Sequence, residues 1–391
     1  MILYDPSLAI NFHDYGIMLP ISPDRGKRIV EFLEKDYFPG PVLGLSEALA
    51  HLNIAGPSRN AAISRDDLER IHSREYIASL YDASSKGLEA ALHETYELID
   101  AQGQHNRYEP ESAKKPLADL FSMILAQAGG TSLACRLALA PGPGFCYFLG
   151  GGMHHARYGS GSGFCLINDV ALAAFKILAE AAHDGARAAP SKKPARLIWI
   201  IDLDAHKGDG TAELIRLSRQ RGELLNPQRP AAHNGGGSRK PCILSLSIHM
   251  AKGWPLNTES IAAAKEGCAP LVPSDVDIGI DLGEEKEYTP RLMQGIRELE
   301  GLSAALYPSA AKPDLALVVD GADPYEHDGL PSSCLLKLSL EQCLERDNYV
   351  YRYLRDRSIP SAWILSGGYG DRAWEPPAYF LQGIRACKGD T

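Results

Sequence analysis

Residues 197–210 read LIWIIDLDAHKGDG. The stretch opens on five apolar residues, three of them isoleucine, and stops abruptly at charged ones. A short, nearly continuous, β-branched apolar run of this kind reads as a strand covered on both faces, as in a parallel sheet flanked by helices. Four similar runs recur: FCYFL at 145–149, CILSLSI at 242–248, LALVV at 315–319 and AWIL at 362–365. Between them lie helical patterns. NDVALAAFKILAEAA at 168–182 has apolar residues at helical spacing and an Asn-Asp start suited to an N-cap. Residues 290–306 and 340–354 also read as amphipathic helices. Strands alternating with helices predict an α/β fold, an open and mostly parallel sheet with helices on both faces.

The polar residues fall where the apolar runs end. After 145–149 comes GGGMHHA, with His154 and His155 adjacent. After LIWI come Asp202, Asp204, His206 and Asp209; after 242–248 comes His249; after 315–319 come Asp320 and Asp323; after 362–365 comes SGGYG with Tyr369. In open α/β sheets, ligands bind outside the carboxyl ends of the strands, so five such turns can converge on one site.

The D-x-D-x-H spacing at 202, 204 and 206 puts three side chains on one side of an extended segment. Two carboxylates and an imidazole there can hold a cation, or can simply cap a turn. Asp323 offers a third ligand to Asp204 and His206, which makes a set of one nitrogen and two carboxylates. Catalytic zinc sites use three protein ligands and keep an open position, and the same donor set suits Fe(II), Co(II) or Mn(II). His154 and His155 can face one cavity, each oriented by an acidic partner, with Asp202 and Asp209 the spare carboxylates. They can equally be ordinary buried or surface histidines. Tyr369, between glycines, can donate to a developing oxyanion.

Composition narrows the class. The chain has 391 residues, 45% hydrophobic and 23% charged, near the average of a globular protein. Length alone suggests two or three domains at roughly 100–200 residues each. The motif order argues otherwise: residues of one site run from 154 to 369. The expectation is therefore a single catalytic domain over 1–391, with a Pro/Gly/Asn-rich loop insertion near 226–240 and another loop at 185–193. The net charge of −9 and the lack of a basic patch argue against nucleic-acid binding. Eight cysteines without C-x-x-C spacing give no thiolate zinc site and no redox motif. The first residues lack the pattern of a signal peptide, and no apolar run spans a bilayer. A soluble, reduced, cytoplasmic protein with no membrane partner is expected (nuclear if the source is eukaryotic).

Together the motifs resemble the zinc-dependent histone deacetylase superfamily, within the arginase/deacetylase fold. GGGMHHARYGSGSGFCLIND at 150–169 is similar to its G-G-x-H-H-A…S-G-F-C-x-x-N-D block, IDLDAHKGDGT to D-x-D-x-H-x-G-D-G, GADPYEHDGL to its G-A-D segment and SGGYG to its G-G-Y turn. Weaker similarity covers IHSREYIASL at 71–80, VDIGIDLGEEKEY at 276–288 and SLSIH at 245–249. The resemblance implies zinc, or Fe2+ or another divalent ion, on Asp204, His206 and Asp323. It implies tandem active-site histidines His154 and His155, backed by Asp202 and Asp209, and Tyr369 as oxyanion donor. Gly163 and Phe164 would belong to an acyl-lysine tunnel, with Trp254 as the opposing aromatic. A structural K+ or Na+ would sit at Asp202, Asp204, His206 and Ser247. The implied reaction is hydrolysis of an acyl-lysine amide in a protein or peptide, with His155 as the base.

Leu330 bears on substrate. Acetylpolyamine-preferring relatives can place a gatekeeping glutamate seven residues after the last zinc-binding aspartate, and Leu330 holds that position here. This favours acyl-lysine over a small acylated amine such as an acetylpolyamine. The chain departs from the family at Lys207, where His or Gln is common, and in lacking G-T-G after Trp254-Pro255; the 226–240 insertion puts a second monovalent-cation site in question. These changes point to a divergent member, bacterial or class-II/IV-like. Three other readings stand beside the first. One is a small-amide amidohydrolase. Another is an arginase-like ureohydrolase, which needs a second D-x-D for which Asp275/Asp277 has the spacing. The last is a non-catalytic acyl-lysine binding protein.

Overall fold

The computed structural model describes residues 1–35, 41–54, 63–184, 196–227, 240–256, 271–308 and 311–386. Most of the 226–240 insertion and the 185–193 loop therefore lie outside the described residues.

Eight strands form one sheet: β1 (Ile2–Leu3), β2 (Val42–Leu43), β3 (Phe145–Phe148), β4 (Leu197–Asp202), β5 (Cys242–Met250), β6 (Val276–Ile280), β7 (Leu315–Asp320) and β8 (Ser361–Leu365). Their order is β2-β1-β3-β8-β7-β4-β5-β6, and every pairing is parallel. The α/β expectation is met. The two shortest strands, β1 and β2, are too brief to show an apolar run. β5 extends through His249 and Met250, so His249 lies inside the sheet rather than in a turn after it.

Apolar runs without alternation follow from burial on both faces. Leu197, Trp199 and Ile201 of β4 pack on one side, with Leu292, Ile296, Val350 and Leu354 of the helices Tyr288–Leu306 and Leu340–Asp356. Ile198 and Ile200 pack on the other, with Leu133, Leu137, Val170 and Ile177 of the helices Leu120–Leu139 and Asp169–Asp184. Each such side chain contributes about 1.5–3 kcal/mol when fully buried. Trp199 is 1% exposed, and its indole N–H donates to Ser303 Oγ at 2.8 Å, so burying the large ring strands no polar atom. Asn168 caps the helix Asp169–Asp184, its Oδ1 accepting from the Ala171 N–H at 2.9 Å. Among the described residues no helix is long and apolar enough to cross a membrane.

The topology places the site. In the sheet, β3, β8, β7 and β4 are consecutive neighbours. Their carboxyl ends lead into the turns of His154-His155, Tyr369, Asp323 and Asp204/His206 respectively.

Candidate active site

Asp204 and His206 leave β4, and Asp323 leaves its neighbour β7. One donor atom from each lies within 4.8 Å of the others, and all three residues are buried. Among the described residues no other trio of such donors gathers. His206 Nδ1 is 2.8 Å from Asp323 Oδ2 and 3.3 Å from Asp204 Oδ1. Backbone amides hold the carboxylates: the Ala205 N–H donates to Asp323 Oδ1 at 2.9 Å, and the Gly367 N–H to Asp204 Oδ2 at 3.0 Å. Gly367 must be bare, because a Cβ there would strike both Asp204 and Asp323.

The electrostatics are those of a cation site. Burial and the neighbouring Asp204 charge push the Asp323 carboxyl up to about 7. Burial opposes the Asp204 charge too, but His154 and His206 hold that carboxyl well below the usual range. Burial disfavours a charged His206, yet the flanking carboxylates raise it to about 10. The trio thus already gathers positive charge between two carboxylates, where a divalent ion would replace a proton. His206 Nε2 faces Ser332 Oγ at 3.2 Å; an Nε2–H donating to that oxygen leaves Nδ1 as the ligating atom. No sequence signal marked Ser332.

The two histidines sit beside this trio, ring centroids 3.9 Å apart. His154 Nδ1 is 2.7 Å from Asp202 Oδ2, and His155 Nδ1 is 2.8 Å from Asp209 Oδ1. The pairs differ in what lies behind them. Arg157 sends Nη2 and Nε to the far oxygen of Asp209, at 2.6 and 3.1 Å. Burial and the neighbouring His154 charge lower His155 to about 4. Burial works against a charge on His154, but Asp202 and Asp204 win and raise it to about 9. A cation bound by Asp204 and Asp323 would offset part of that rise. The sequence reading missed Arg157, though it stands two residues after His155.

Tyr369 comes from the β8 end. Burial, then the Asp323 and Asp204 charges, raise its hydroxyl well above the ordinary value, so the phenol stays a donor. The Asp328 carboxylate accepts its backbone N–H at 2.7 Å. Arg25, far away in sequence, donates to the carbonyls of Ser366, Gly367 and Gly368 at 2.7, 3.0 and 3.1 Å and braces the same turn. Phe164 faces Tyr369 edge-on at 6.3 Å, and both line a cavity shared with His154, His155, Asp204 and His206. The Trp254 ring lies 4.5 Å from His155 and 5.7 Å from His206, centroid to centroid. Gly163 has φ of +54°, and a side chain there would collide with Trp254 and His155.

Leu330 is buried in the turn after Asp328 and is not among the cavity-lining residues. Ser247 is the register partner of Asp202, and its buried hydroxyl has no hydrogen-bond partner among the described residues. The Asp275/Asp277 pair does not reach the trio. Arg219 takes Asp275 at 2.7 Å, and Lys207 takes Asp277 at 2.6 Å.

Comparison with known proteins gives a consistent result. An uncharacterized protein of Picosynechococcus sp. (strain ATCC 27264 / PCC 7002 / PR-6) is 26% identical over 253 residues, 64% of each chain, so the match spans under two thirds of that relative's length. The acetoin utilization protein AcuC of Staphylococcus aureus (strain COL) is 30% identical over 336 residues, 84% of this chain and 70% of its own. The crystal structure of acetylpolyamine aminohydrolase from Burkholderia pseudomallei shares the fold, with a TM-score of 0.58 at 17% identity over 98% of both chains. A family model described as the histone deacetylase domain matches residues 19–378. That match takes in every strand end from which the site is built, and the chain belongs to the histone deacetylase domain family.

Proposed function

We propose that the protein is a zinc-dependent deacylase that hydrolyses the amide of an acylated lysine side chain in a protein or peptide. The observation that carries the reading is the meeting of three elements in one buried cleft: the Asp204–His206–Asp323 trio, two His–Asp pairs and Tyr369. One nitrogen and two carboxylate donors, with backbone amides holding the carboxylates, fit a divalent ion. Such an ion supplies Lewis acidity for the acyl carbonyl and for water. Ser247, an orphaned buried oxygen beside Asp202, supports the companion reading of a structural K+ or Na+ at Asp202, Asp204, His206 and Ser247.

The chain's own residues divide the remaining work. His155, oriented by Asp209, takes the proton of the attacking water and delivers one to the leaving amine. His154, held by Asp202, stabilises negative charge beside it. The Tyr369 phenol donates to the tetrahedral oxyanion. Phe164, on the cavity wall beside Tyr369, and Trp254, packed on His155, would keep water from the lysine stem. Leu330 is apolar but lies off the cavity wall, so the choice between acyl-lysine and acetylpolyamine rests on the substrate panel.

The test is a panel of acetyl-, longer acyl- and lactyl-lysine peptides beside acetylputrescine, assayed with zinc and with a chelator. Turnover of a lysine peptide that the chelator abolishes and zinc restores is expected. Turnover of acetylputrescine alone would give the small-amide reading, and metal uptake with no turnover of any substrate would give a binding protein.

A further inference from the structure

The helix Leu340–Asp356 carries a fully buried cation that no motif marked. Arg346 is 1% exposed, and its guanidinium reaches both strands that deliver the metal trio. Nη1 donates to the Leu203 carbonyl at 3.1 Å and to the Gly321 carbonyl at 3.0 Å. Leu203 immediately precedes Asp204, and Gly321 stands two residues before Asp323. Nη2 donates to Asp320 Oδ1 at 2.7 Å, and Nε to Asp347 Oδ1 at 2.6 Å. Tyr147 of β3 closes the set, its hydroxyl donating to the second oxygen of Asp320 at 2.7 Å.

We propose that Arg346 is a positioning residue for the metal, a clamp that fixes the end of β4 against the end of β7 and so sets the span between Asp204/His206 and Asp323. The inference rests on the metal-dependent reading above. Its physical basis is the shape of the guanidinium. A rigid planar fork can bind two carbonyls and two carboxylates at once, whereas an ammonium is a point donor on a flexible stem. Parallel pairing of β4 with β7 ends at Asp202 and Val319. Past that point the two turns are no longer held by a full ladder. The Leu203 N–H still donates to the Val319 carbonyl at 2.9 Å and the Ala205 N–H to Asp323 Oδ1 at 2.9 Å, and Arg346 adds a bridge between the Leu203 and Gly321 carbonyls. Burying a cation for packing alone is costly, and two carboxylates must accompany it. Partners outside the ligand set commonly control metal affinity by about 10–100-fold when removed.

The experiment compares wild type with Arg346→Lys, which keeps the charge and loses the fork. Zinc affinity of the apo proteins is read by competition with a chromogenic chelator, and melting temperature is read with and without zinc. Zinc affinity about 10–100-fold weaker, with a smaller zinc-induced rise in melting temperature, is expected. Equal loss of melting temperature in the apo and zinc forms, with unchanged affinity, would mean a purely structural arginine and overturn the proposal. If Arg346→Lys does not fold, Asp320→Ala decides: it removes one anchor of the guanidinium and leaves both carbonyl partners. A several-fold weaker zinc affinity supports the clamp, and wild-type affinity refutes it. Should wild type itself take up no divalent ion, the metal-dependent reading fails, a result separate from failure of the clamp.

Discussion

Lys207 follows the metal-trio histidine directly, and its substitution by Met tests how the electrostatics of this fold are balanced. Its ammonium is fully buried, 2.6 Å from Asp277 Oδ1 and 3.3 Å from Ser274 Oγ. Asp277 is equally buried; its other oxygen accepts the Ser274 N–H at 2.8 Å, and His249 Nε2 stands 3.5 Å from the first. Burial pushes the Asp277 carboxyl up, but Lys207 and His249 outweigh it and hold the carboxyl below its ordinary value. Lys207→Met removes the main counter-charge and leaves a carboxylate in the interior. Breaking a buried pair from one side costs about 3–5 kcal/mol. Whole domains are stable by only about 5–15 kcal/mol, so the loss is a large fraction of the total. Urea unfolding followed by tryptophan fluorescence measures it. The double variant Lys207→Met/Asp277→Leu removes both charges and is expected to regain most of the loss, because well-packed apolar replacements of buried pairs are often neutral or stabilising. The sign of the pH dependence follows from the lowered Asp277 value. The pair's contribution is present above the unfolded carboxyl pKa of about 3.9 and is lost as pH falls through the lower folded value. In the single variant Asp277 can protonate more readily, so its deficit narrows in mild acid. A single variant within about 1 kcal/mol of wild type, or a double variant as unstable as the single, would refute the reasoning.

Tyr369→Phe should lower kcat by roughly a hundredfold or more, since an oxyanion donor is worth about 2.7–4 kcal/mol; near-normal turnover with zinc bound would remove Tyr369 from that role. His72 is buried, and burial lowers it to about 4; its Nδ1 lies 2.7 Å from the Arg157 carbonyl and its Nε2 accepts the Asn168 N–H at 3.1 Å. A histidine with a depressed folded pKa favours folding above its unfolded value of about 6.5 and loses that contribution as pH falls toward 4. Wild type should therefore lose about 3 kcal/mol more than His72→Gln between pH 7 and pH 4, measured by urea unfolding at each pH; parallel pH profiles would count against a buried neutral imidazole.

The sequence by itself determined the class of fold. Apolar runs such as 197–201 and 315–319 need cover on both faces, and the helical patterns between them supply it. It also pointed to His154, His155, Asp204, His206 and Tyr369, which the structure places around one cavity, because chemically unusual side chains at strand ends stand out against apolar neighbours. His249 misled that reading, since a polar residue at a strand's last turn looks the same from either side of the boundary. Only the tertiary structure decided who meets whom. Chain order runs β3, β4, β7, β8, whereas the sheet sets β3, β8, β7 and β4 side by side, which brings Asp323 to His206 and Tyr369 to Phe164. The braces were equally hidden. Arg25, Arg157, Ser332 and Arg346 each reach the site from an isolated position in the chain, and a lone polar residue carries no periodic or spacing signal. Strand periodicity is local and is written in neighbouring residues. A parallel sheet's pairing order is set by long crossovers, and the fit of each charge into its partner exists only once those crossovers have packed.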